Sequence, residues 1–203
     1  MLLNEHEEMK RRSKELLEFY HQKARGWEPD EVADLTEAAA LDWLFSLTET
    51  LDIWREKADG VMTDGEVILG YANLGILLEG WLTLYLTVYL EDFRKDGKKN
   101  LPSQLTLERL IQFIRKNVWK DGKEKQQWIA WMDGIRKKRN AVHAFQYRDI
   151  GTNKELKADI EKYDKFIDAG THFAFSVAAK RNIEIFQKPA GQGNMPSSPE
   201  FTY

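Results

Sequence analysis

The chain has no cysteine, four histidines and five prolines in 203 residues. Without cysteine it can build neither a disulfide framework nor a thiolate metal site. His6, His21, His143 and His172 are scattered, with no two at ligand spacing. No histidine–carboxylate cluster of the zinc or di-iron kind is evident, so a site without metal or cofactor is expected. Proline falls at Pro29, in a Lys, Gly and Pro-rich stretch at 96–104, and near the C-terminus. No segment alternates as a strand would, and no internal repeat is visible.

What is present is helical pattern. The length suits one domain, taken as residues 1–187, with a Pro, Gly, Ser and Gln-rich tail at 188–203. Asn4 with Glu7, Thr63 with Glu66, and Thr152 with Glu155 read as capping pairs that open helices. Apolar stripes recur in four segments: Met9, Leu16, Leu17, Tyr20; Leu44, Phe45, Leu47, Leu51, Trp54; Leu107, Leu110, Ile111, Ile114; and Leu156, Ile160, Tyr163, Ile167. Helices are expected at about 4–25, 29–58, 64–95, 106–118 and 123–145, and from 153 onward, with Gly170 as a kink or end. The expected fold is all-α: an antiparallel up-and-down helical bundle of about five to six helices with one long apolar central helix.

That central segment, residues 67–90, is nearly continuous apolar sequence interrupted by Asn73, Glu79 and three glycines, Gly70, Gly75 and Gly80. It is long enough to cross a bilayer, but a mid-span carboxylate is costly in lipid. The reading adopted is a helix covered by other helices, with no membrane contact. The acidic start Met-Leu-Leu-Asn-Glu-His-Glu-Glu lacks the basic and apolar stretches of a signal peptide, so the cytoplasm is the expected compartment.

The net charge of −3 hides an asymmetry: residues 115–139 hold nine Lys or Arg against three acids, a local +6 that leaves −9 elsewhere. Such a patch is a candidate surface for a polyanion, and a solvated helix face is the competing reading. On a helix at about 100° per residue, Trp128, Trp131, Met132, Ile135 and Val142 share a core face. Arg139 falls at its edge, His143 about 40° further round, with Arg136 and Asn140 on the same flank. Two arginines, an amide and a histidine would then line one border between core and solvent, where partly desolvated arginine grips phosphate well. Glu79 is expected either to pair with Arg139 or to face solvent.

The run Ile135-Arg-Lys-Lys-Arg-Asn-Ala-Val-His-Ala-Phe145 resembles the signature helix of the HEPN superfamily of helical-bundle proteins. In that signature an arginine, often followed by a polar residue, precedes a histidine by four to six positions, on a late helix of the bundle. Arg136 has six residues before His143 but is followed by Lys137, whereas Arg139 is followed by Asn140 but has only three, so either could hold the family role. The resemblance spans residues 30–186 in architecture and is specific over about ten residues.

It implies a metal-independent endoribonuclease. Members of this kind dimerise through the motif helix, and the ribose 2′-OH attacks the adjacent phosphate to leave 2′,3′-cyclic phosphate and 5′-OH ends. His143 would transfer the proton, Arg139 or Arg136 would stabilise the developing charge, and Asn140 would orient phosphate or imidazole. A toxin or anti-phage defence role is implied, with RNA as substrate and an antitoxin or nucleotidyltransferase as partner. Such nucleotidyltransferases modify a tyrosine two residues after the histidine in many toxin-type members, where this chain has Phe145. The alternative is a non-catalytic HEPN-like module for dimerisation or for nucleotide or RNA binding. A membrane-associated protein built on residues 67–90 is disfavoured by Glu79.

Overall fold

A computed structural model of the chain describes residues 5–23, 30–90, 94, 104–118, 122–143 and 147–180. Those residues form an all-α helical bundle with no strand among them. The helices are α1 (Glu5–Lys23), α2 (Asp30–Glu37), α3 (Leu41–Glu49), α4 (Leu51–Ala58), α5 (Asp64–Val88), α6 (Leu107–Phe113), α7 (Lys123–Arg139) and α8 (Asn153–Lys180). A π-helical turn, Ile114–Val118, follows α6, and a 3-10 turn, Asn140–His143, follows α7. The Asn4 cap, the break at 26–29, the loop up to residue 103 and the tail at 188–203 lie outside the described residues.

The long apolar helix is α5, and it packs against α2, α3, α4, α6, α7 and α8. Thr63 opens it with a complete capping box: its hydroxyl accepts from the Glu66 N–H, and the Glu66 carboxylate accepts from the Thr63 N–H at 2.9 Å. Gly70, Gly75 and Gly80 explain how one helix serves so many neighbours. Steps of five residues turn about 140° on an α-helix, so the three glycines open on three different sides. Each receives the side chain of another helix: a Cβ there would lie 2.5 Å from Leu156 Cδ2 of α8, 2.5 Å from Arg139 Cγ of α7, and 2.6 Å from Leu44 Cδ1 of α3. Leu69 and Ile76, on one face of α5, are its exposed large apolar side chains, 53% and 43% exposed.

The segment expected as one helix at 29–58 is three helices. Thr48 and Thr50 donate their hydroxyls to the carbonyls of Leu44 and Leu47, at 2.9 and 2.7 Å, where α3 gives way to α4. Such side-chain bonds compete with the regular ladder. Thr50 also accepts from the Asn73 amide of α5. The α2–α3 break falls among Ala38, Ala39 and Ala40, where propensity alone favours helix. Gly170 neither ends nor interrupts α8.

The face between α5, α7 and α8 fixes the register of α7. Asp159 of α8 accepts from Tyr71 Oη at 2.8 Å and from Trp131 Nε1 at 3.0 Å. Lys138 donates to Tyr71 Oη at 2.8 Å. Burial and the neighbouring Asp159 charge push the Tyr71 hydroxyl far above the ordinary phenol range, so it stays a donor. Trp128 and Trp131 pack against Phe166 with tilted rings, at centroid distances of 5.7 and 5.8 Å.

Two glycines should respond oppositely to alanine. Gly134 lies inside α7, and a methyl group at its Cα would meet nothing within 4 Å, so Gly134→Ala should stabilise by about 1 kcal/mol through helix propensity. Gly75→Ala gains the same propensity but forces the Arg139 stem aside, at about 1–3 kcal/mol, for a net loss near 1 kcal/mol. Urea denaturation of the two variants measures both signs.

Candidate functional site

The basic turn Arg136, Lys137, Lys138, Arg139 forms the last turn of α7, where cations complement the partial negative charge of exposed carbonyls. That gives the run a local structural reason. The α-helix, expected from its periodicity to run on through His143, ends at Arg139. At Asn140, with φ −70° and ψ −5°, it tightens into the 3-10 turn. Tighter last turns are common at helix ends.

This change of pitch re-aims the end of the motif. At three residues per turn His143 comes to lie about 120° from Arg139 instead of about 40°, and Val142 rotates onto the azimuth of Arg139. Val142, expected in the core, is therefore 46% exposed, and Ala141 takes the buried position. Trp131, Met132 and Ile135 are buried as expected, with Trp128 packed partly against them. His143 is exposed.

The two arginines diverge. Arg136 turns toward α6: its Nε lies 3.3 Å from Asp133 Oδ1 and its Nη1 lies 3.6 Å from Glu108 Oε2. Asp133 is shared with Arg115, at 2.5 Å. Arg139 turns toward α5. Its stem crosses Gly75, its Nη2 is 3.8 Å from Glu79 Oε2, and its Nη1 donates to Asn140 Oδ1 at 3.5 Å. The Glu79 oxygen also accepts the N–H of Leu107, the first residue of α6, at 2.9 Å. Of the two expectations for Glu79, pairing with Arg139 is the one observed. Lys138 faces Asp159 at 3.4 Å, and Lys137 is exposed.

Of the four candidate residues, the structure joins Arg139 and Asn140, places His143 one short turn further on at the surface, and directs Arg136 elsewhere. No hydrogen bond or ion pair among the described residues links His143 to either arginine or to Asn140. Among those residues no three His, Cys, Asp or Glu side chains converge as metal ligands. A cavity of about 340 Å³, lined by Ala58, Asp59, Asn153 and Lys157 among others, lies between the end of α4 and the start of α8, away from these residues.

A second polar cluster lies outside the residues that the sequence motif singles out. His6 of α1 is 3% exposed and sits between two carboxylates, with Nδ1 2.8 Å from Asp164 Oδ2 of α8 and Nε2 2.9 Å from Asp52 Oδ1 of α4. Arg55 meets Asp164 at 2.8 Å and Lys10 meets Asp52 at 2.6 Å, so the cluster pins α1 to α4 and α8. The signal for it was present: His6 falls in register with Met9, Leu16 and Tyr20, and Asp164 with Ile160 and Ile167, each a polar residue on an apolar stripe.

No protein-family model, curated protein or solved structure matches the chain.

Proposed function

We propose that this chain is a HEPN-type, metal-independent endoribonuclease working as a homodimer. The observation that carries the reading is the pairing of Arg139 with Asn140 at the end of α7, one short turn before an exposed His143. A cation held at the rim of the core, a polar side chain beside it and a free imidazole are the groups that phosphodiester transfer needs. In the reaction the ribose 2′-oxygen bonds to phosphorus as the bond to the 5′-oxygen breaks. One His143 takes the 2′-OH proton, and the same residue in the second copy gives a proton to the leaving 5′-oxygen. Arg139 stabilises the charge gathered on the non-bridging oxygens. Leu69 and Ile76 on one face of α5, and Val142 after α7, are exposed apolar side chains that a second copy could cover about a two-fold axis.

A specific observation favours the non-catalytic module as the second reading. Arg136, Lys138 and Arg139 each already face a carboxylate of their own chain, so an incoming phosphate must compete with Asp133, Asp159 and Glu79. Incubating the purified protein with end-labelled RNA in EDTA separates the two. The ribonuclease should cut, leave 2′,3′-cyclic phosphate and 5′-OH ends, spare DNA, and scatter light as a dimer. Binding of RNA that stays intact would select the module instead.

A further inference from the structure

We propose that Glu79 is a positioning residue for Arg139, and that Arg139 rather than Arg136 is the arginine presented to the phosphate; the proposal rests on the ribonuclease reading above. Three contacts define where the Arg139 guanidinium sits. Its stem lies in the notch at Gly75, where any side chain would collide with Cγ and Cβ at 2.5 and 2.8 Å. One edge of the guanidinium meets Glu79, one turn further along α5, at 3.8 Å, and another meets Asn140 at 3.5 Å.

Glu79 is itself held in place. The oxygen that faces Arg139 is the one that accepts the Leu107 N–H at 2.9 Å, so the carboxylate cannot swing away without losing the bond to α6. At 3.8 Å the ion pair orients the guanidinium without a short hydrogen bond, and other donors of the five on guanidinium remain for a ligand. Arg136 is arranged differently. It is committed to Asp133 and Glu108, and Asp133 is already bridged by Arg115. A fixed carboxylate beside a phosphate site does not help an anion bind, because its charge opposes the ligand. It helps only by holding the cation where charge develops.

That asymmetry sets the test. Glu79→Gln keeps an oxygen to accept the Leu107 N–H and removes the charge. Its kcat for RNA cleavage should fall by roughly 10- to 100-fold, the scale of a misplaced catalytic group. Its affinity for a fully 2′-O-methylated RNA, which cannot be cut, should stay the same or tighten. A kcat within threefold of the parent, or a loss of affinity at unchanged kcat, overturns the proposal. A Glu79 that served only to cap α6 would leave Gln unaffected in both.

A second measurement decides the point if the parent chain cuts no RNA. ¹⁵N relaxation of the guanidinium Nε–H signal, assigned through Arg139→Lys, should report an ordered Arg139 in the parent and a mobile one in Glu79→Gln. Equal order in both overturns the positioning role, and loss of order supports it whether or not the ribonuclease reading survives.

Discussion

Replacing His143 by alanine should lower RNA cleavage by about 10²- to 10⁴-fold, the range expected for loss of a positioned proton-transfer group. The folded state should hardly change, since the imidazole is exposed and bonds no described residue. RNA affinity should persist because the cations of α7 remain. Arg139→Ala should cost on the order of 10²-fold in kcat if it stabilises the phosphorane. Arg136→Ala should leave kcat nearly intact, since Arg136 is committed to Asp133 and Glu108. Rates on a labelled oligonucleotide in EDTA, with circular dichroism to confirm folding, check all three. The ribonuclease reading is falsified if cleavage survives His143→Ala unchanged.

Removing His6 should cost the fold substantial stability. His6→Ala leaves a cavity under α1 and strips Asp164, which is 7% exposed, of one of its two partners. Breaking a buried ion pair from one side costs about 3–5 kcal/mol, because an uncompensated charge stays in the interior. Arg55 still faces Asp164, which points to the lower end of that range. For a chain of this size the melting temperature should drop by roughly 10 °C. The double change His6→Leu with Asp164→Leu should be milder than the single one, since it removes the buried carboxylate along with its partner, and the charges that lose a contact, Arg55 and Asp52, are 25% and 42% exposed and reach solvent. A single variant that melts within 2 °C of the parent would show that the cluster contributes little.

Local signals in the sequence translated directly into structure. The capping pairs Thr63–Glu66 and Thr152–Glu155 are both formed, because each is satisfied within one turn of chain. The stripes Leu107, Leu110, Ile111, Ile114 and Leu156, Ile160, Tyr163, Ile167 are fully buried. What was not legible depends on partners distant in the chain or on a change of helical pitch. The α3–α4 junction is tied by Thr50 to Asn73, a contact that periodicity within 29–58 cannot reveal. Carrying 3.6 residues per turn through Asn140 places Val142 in the core, but the helix tightens there. For the candidate site, residue types and neighbourhood were readable, and the divergence of Arg136 from Arg139 was not. That divergence is decided by Glu108 on one side and by Gly75 with Glu79 on the other.

The glycines of α5 also bear on how the molecule reaches its native state. Each costs close to 1 kcal/mol of intrinsic helix stability relative to alanine, so the segment that becomes the centre of the bundle is a poor helix by itself. Its order depends on Leu44, Arg139 and Leu156 arriving from three distant parts of the chain. Loops must therefore close before the centre consolidates, and the entropy of closing them precedes the gain. For an all-helical chain this implies slow acquisition of the core, with α5 among the last helices to become protected from hydrogen exchange.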